Sequence, residues 1–184
     1  MNEKMNKRKR TLWLIAIILI SALTCVVAFK KGLNPPPAFL LGCVAAYGAV
    51  YFVAHFLKIP DTLYVMTLIF VYMASPLGSI MNFYRSIPPY DKIVHFLSGI
   101  LIAAFGYFII TRFIPDADKK MKLIICIFTF LFASSGAGLW EIFEFTTDKL
   151  AGGGMQRGMV DTVTDMIAGN IGGFLFAGMK YFRK

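Results

Sequence analysis

Asp91, His95, Glu141, Glu144, Asp161 and Asp165 are the residues of this chain whose types and spacing could do chemistry. They fall in three stretches, Asp91-Lys92-Ile93-Val94-His95, Trp140-Glu141-Ile142-Phe143-Glu144 and Asp161-Thr162-Val163-Thr164-Asp165, each inside or beside an apolar run. Ionisable groups are costly in such surroundings, so their presence asks for a reason. At ~100° per helical residue, Asp91 and His95 lie about 40° apart on one face, as do Asp161 and Asp165, while Glu141 and Glu144 lie about 60° apart. Each helix thus offers two polar groups to one side, and in a bundle that side faces inward.

Five carboxylates and one imidazole cannot all stay charged and unpaired in a small volume. Lys92, Arg157 and Arg85 could relieve the repulsion, but they lie in loops or at helix ends. A bound cation is the more economical answer. Oxygen-rich ligands with one imidazole suit Mg²⁺ or Mn²⁺ better than structural Zn²⁺. The expected ligands are Asp91, Glu141, Glu144, Asp161 and Asp165, with His95 and Glu144 in acid–base roles and Arg85 and Arg157 holding an anionic headgroup. Plainer roles compete. Asp91 and Asp161 would serve as N-terminal helix caps. Ser98 and Asn170 suit helix packing, the Gly169 to Gly173 step suits close helix approach, and His55 suits an interfacial helix end.

The elements that must position these groups are membrane helices. Apolar runs predict spans over 12–29, 38–57, 63–83, 92–113, 123–145 and 159–182, each about the length that ~30 Å of hydrocarbon requires. The basic run Lys7-Arg8-Lys9-Arg10 precedes the first span, which reads as a retained helix and not a cleaved signal, since no small-x-small site follows it cleanly. Pro35-Pro36-Pro37 ends that helix region, and Pro76 with Gly78 predicts a kink or early end in the third span. The small residues Ala133 to Gly138 would let a neighbouring helix come close, and the loop with Gly152-Gly153-Gly154 and Gly158 should be mobile. The runs beginning at Asp91 and Asp161 also resemble each other, as a parallel repeat would.

Composition agrees. The chain has 184 residues, 58% hydrophobic and 16% charged, too apolar for an ordinary soluble domain, and no stretch is long enough to act as a linker. An all-α, polytopic membrane bundle of about six helices, forming one domain over 1–184, is expected. The +9 net charge gathers at the ends of apolar runs, a topology signal and not a nucleic-acid footprint. With both termini cytoplasmic, 13 of the 19 Lys and Arg fall on the inner side, which puts the basic tail 1–10 inside and the six polar residues near the outer face. Cys25, Cys43 and Cys126 lie in apolar segments without CxxC spacing and read as small hydrophobes.

From residue 85 to about 175 the chain resembles the YjdF-like membrane proteins. The likeness rests on Asp91-x-x-x-His95-Phe96-x-x-Gly99, Trp140-Glu141-x-x-Glu144-Phe145 and Gly158-x-x-Asp161-Thr162-x-x-Asp165-Met166. A more distant similarity is to the VanZ-like proteins, through Asp91, Lys92, His95 and Phe96 and more loosely through Arg157, Asp161, Asn170 and Gly173. Asp165 stands where that family more often has Asn. The second resemblance implies a cell-envelope role; neither implies a reaction.

Three functions are consistent with these residues. The first is a plasma-membrane enzyme in which a cation polarises a phosphoryl or ester oxygen of a lipid-linked or envelope substrate, with His95 as acid or base. The paired His and multiple Arg of membrane lipid phosphatases are absent. The second is a proton- or ion-coupled carrier, although no polar chain continues to the cytoplasmic side. The third is an accessory subunit without chemistry. The expected partner is membrane lipid, with no nucleic acid; the oligomeric state is open.

Overall fold

The computed structural model describes residues 7–115, 119–152 and 154–183. Gly153, named above, lies outside the described residues, as do Lys4, Asp116, Asp118 and Lys184. The described chain is entirely helical: α1 (Lys7–Lys30), α2 (Pro37–Phe56), α3 (Asp61–Tyr72), a π-helical segment (Met73–Ile80), α4 (Phe83–Ser86), α5 (Tyr90–Phe113), α6 (Lys119–Ala151) and α7 (Met159–Phe182). Five stretches among the described residues are long and apolar enough to cross a bilayer: α1, α2, α3 with the π-helical segment, α5 and α6. This is a polytopic helical membrane protein. The sixth expected span, α7, has 24 residues, but Asp161, Asp165, Asn170 and its glycines dilute its apolar character. By length alone it reaches about 36 Å.

Large apolar side chains face outward along these helices, among them Leu19, Leu23, Leu41, Phe56, Leu131 and Phe174. In a membrane that surface meets lipid, and the polar groups turn inward. The chain divides into two compact units, Met1–Asp91 and Lys92–Lys184.

In the first unit, polar side chains knit the apolar helices. Ser21 and Tyr47 hydroxyls lie 2.9 Å apart, as do those of Thr24 and Tyr72. Arg10 is the main tie. Its Nε donates to Asp61 Oδ1 at 2.6 Å, Nη2 to the Ile59 carbonyl at 2.6 Å and Nη1 to the Ala54 carbonyl at 3.2 Å. One guanidinium therefore joins α1 to the end of α2 and the start of α3. The expected kink is a change of helical register: Pro76, lacking an N–H, sits inside the π-helical segment, and Met81 N donates back to the Pro76 carbonyl at 2.9 Å. His55 is exposed near the end of α2.

Candidate functional site

The second unit is a three-helix cluster whose directions follow from its contacts. α5 and α6 run antiparallel, for His95 faces Glu141, Ile102 packs on Gly136 and Gly106 on Phe132. α6 and α7 are antiparallel as well, with Ala137 against Gly169 and Ala133 against Gly173. Hence α5 and α7 run in the same direction, as the likeness between their opening sequences suggests.

Glycine makes this packing close. A side chain on Gly99 would collide with the Gly169 carbonyl, and one on Gly172 with the Phe96 carbonyl. A Cβ on Gly173 would stand 2.6 Å from that of Ala133. Backbone meets backbone between α5 and α7, with α6 closing the third side through its small residues. Gly99 lies one turn beyond His95, and Gly169 one turn beyond Asp165, so the tightest contact sits directly beneath the polar groups.

Four of those six groups lie together. Asp91, His95, Glu141 and Asp165 are all buried, Asp165 to 1% exposure. His95 lies between two acids, Nε2 3.8 Å from Asp165 Oδ1 and Nδ1 3.9 Å from Glu141 Oε1. The division between units falls within the first turn of α5, so Asp91 rides on the same continuous helix as His95. Asp91, His95 and Asp165 each offer one potential ligand atom, all within 4.8 Å of one another.

The charge balance differs from the sequence reading, which set Lys92 aside as a helix-end residue. Its Nζ donates to Asp161 Oδ1 and to Asp165 Oδ1, both at 2.7 Å, and contacts the Asp161 carbonyl at 3.3 Å. A long flexible stem lets an ammonium start at one helix end and finish between two acids of the neighbouring helix. The signal was present, because Lys92 lies three residues before His95 and so about 60° from it on the helix. Arg157 Nε adds a second cation at 3.2 Å from Asp161 Oδ2.

The remaining candidates lie elsewhere. Glu144 is half-buried and accepts a 2.8 Å hydrogen bond from Trp140 Nε1, one turn back on α6. Arg85 is exposed on α4 in the first unit. Ser98 donates to the His95 carbonyl and Asn170 to the Met166 carbonyl, both local backbone contacts at 2.7 Å.

One residue passed unnoticed in the sequence. Asp148, near the end of α6, accepts from Met155 N at 2.8 Å and Gln156 N at 2.7 Å, and Gln156 Nε2 donates to Thr162 Oγ1 at 2.9 Å. Asp148 therefore ties the far end of the glycine-rich loop to the last turn of α6. Gly152, Gly154 and Gly158 supply its positive-φ turns.

A family model described as "Predicted membrane protein (DUF2238)" matches residues 7–184. An uncharacterized protein of Thermotoga maritima is 34% identical over 147 residues, covering 79% of this chain and 74% of the relative. No solved structure matches.

Proposed function

Since this chain belongs to the DUF2238 family of predicted membrane proteins, we propose that it works in the plasma membrane as an enzyme whose His95-centred site holds Mg²⁺ or Mn²⁺ and acts on an anionic lipid-linked or cell-envelope substrate. The observation that carries this reading is the placement of His95 between two buried acids, one at each ring nitrogen. Metal-bound histidines usually present one nitrogen to the cation and hold the other against a carboxylate that fixes the tautomer. Here Nε2, with Asp165 and Asp91, forms the cation side, and Glu141 takes the orienting role at Nδ1. Asp165 Oδ1 also accepts from Lys92.

The bound cation would supply Lewis-acid polarisation of a phosphoryl or ester oxygen. The protein's own residues do the rest. Lys92 and Arg157, both on Asp161, carry positive charge where an anionic headgroup would enter. Glu144, beside Trp140, serves as the outer acid–base group. The outer-face position follows if α7 crosses the membrane, which also returns the C-terminus to the cytoplasmic side with the N-terminus. The VanZ-like resemblance lends the envelope setting.

Lys92 favours a second reading. An internally neutralised pair of aspartates beside a histidine also suits a proton-coupled carrier. Manganese binding to the purified protein, followed by electron paramagnetic resonance, separates the two. We expect one bound Mn²⁺ that Asp165→Asn abolishes and Glu141→Gln weakens by about 10- to 100-fold. No binding by the unmodified protein, or equal binding by all three forms, would refute the cation site. Proton flux in proteoliposomes that vanishes in Asp165→Asn would establish the carrier instead.

A further inference from the structure

The opposite end of the second unit carries a separate constellation. Lys180 Nζ lies 4.6 Å from the centre of the Tyr107 ring and 5.2 Å from that of Phe176, so it stands over two aromatic faces. Lys122 Nζ donates to the Arg183 carbonyl at 2.7 Å. These contacts gather the end of α5, the start of α6 and the end of α7. Arg112, over the Phe108 ring at 5.1 Å, completes the rim. Along α5, Arg112 is about 25 Å from His95, so this is not the site described above.

Among the described residues, no carboxylate forms an ion pair with Lys122, Lys180 or Arg183. Beside the cations, Phe113 is 79% exposed, Phe182 80% and Met179 60%. A free anion would leave these apolar side chains uncovered. A ligand with a phosphate head and hydrocarbon tails would satisfy both halves.

We propose that this end of the α5–α6–α7 cluster binds the headgroup of an anionic phospholipid, with its acyl chains along the exposed apolar side chains. Cation–aromatic stacking holds Lys180 in place ahead of the ligand, and Lys122 and Arg183 complete the phosphate contacts.

The test uses the full chain in neutral detergent, titrated with phosphatidylglycerol or with phosphatidylcholine of the same acyl chains while thermal unfolding is followed. Phosphatidylglycerol should raise the midpoint more, and its apparent affinity should fall by about fivefold for each cation removed in Lys180→Met and Arg183→Gln. Lys180→Arg should retain the preference. Should the double variant fail to fold, Lys122→Gln alone and native mass spectrometry of the unmodified protein across a salt series give the same reading, with lipid retention falling as salt rises. Equal shifts with both lipids, an undiminished preference in the variants, or an equal shift with inorganic phosphate would each overturn the proposal.

Discussion

Replacing Lys92 with methionine isolates the interaction on which the site's charge balance rests. Methionine keeps an apolar stem of similar length and removes only the ammonium. Two aspartates lose a 2.7 Å partner, but unequally. The Asp161 side chain is 17% exposed and keeps Arg157, whereas that of Asp165 is 2% exposed and sits beside the acids around His95. Breaking a fully buried ion pair from one side costs about 3–5 kcal/mol. The Lys92 side chain is itself 34% exposed, so water screens part of the pair and a loss of about 2–3 kcal/mol is expected.

The assignment of that loss to Asp165 is what makes the argument vulnerable. In a double-mutant cycle read by unfolding in detergent, Asp165→Asn should recover most of the stability lost in Lys92→Met, and Asp161→Asn little of it. A neutral Lys92→Met, or equal rescue by the two asparagines, would refute this account. If the cation reading also holds, Mn²⁺ should raise the unfolding midpoint of Lys92→Met more than that of the unmodified protein, because the ion takes over the missing charge.

Three further outcomes follow from the packing. Gly99→Ala forces a methyl into the Gly169 carbonyl and should cost at least about 1–3 kcal/mol, while Gly178→Ala, whose Cβ meets nothing within 4 Å, should be neutral or gain about 0.5–1 kcal/mol; equal unfolding midpoints for the two variants would contradict the backbone contact. Arg10→Met removes the tie among α1, α2 and α3 and should destabilise the first unit by about 2–3 kcal/mol, with Arg10→Lys recovering only part because an ammonium lacks the planar fork; hydrogen exchange of amides near Ala54 and Ile59 would report it, and unchanged protection would count against the tie. Asp148→Ala should speed proteolysis within residues 154–158 and leave the unfolding midpoint unchanged; an unaltered cleavage rate would show that the carboxylate does not hold the loop.

Much of this was legible in the sequence because membrane helices obey a narrow rule. A backbone in lipid must satisfy its own hydrogen bonds, so long apolar runs become helices, and ionisable groups within them turn toward one another. That places His95, Glu141 and Asp165 together with no other information. The residues misjudged were those whose effect depends on side-chain reach. Lys92 is hard to place from sequence because its Cα lies at a helix end, whereas its ammonium lies between two aspartates. Asp148 carried no pattern at all, since its partners are backbone amides of a loop whose course composition cannot reveal. Glu141 and Glu144 show the limit of helical-wheel arithmetic. Some 60° of separation is enough to bury the first beside His95 and leave the second with Trp140.

The glycines and the charges of the second unit form one device. Ordinary side chains keep helix axes about 8–10 Å apart. Gly99, Gly169 and Gly172 remove the side chains from the crossing and let carbonyl meet backbone, which draws the two helices together one turn from His95. At that approach a single ammonium spans both Asp161 and Asp165, and the imidazole comes near Asp165 without leaving Glu141. The same contact explains how Asp161 and Asp165, one turn apart on α7, share one balancing charge. Shape sets the distance, and distance lets one lysine balance a pair of aspartates.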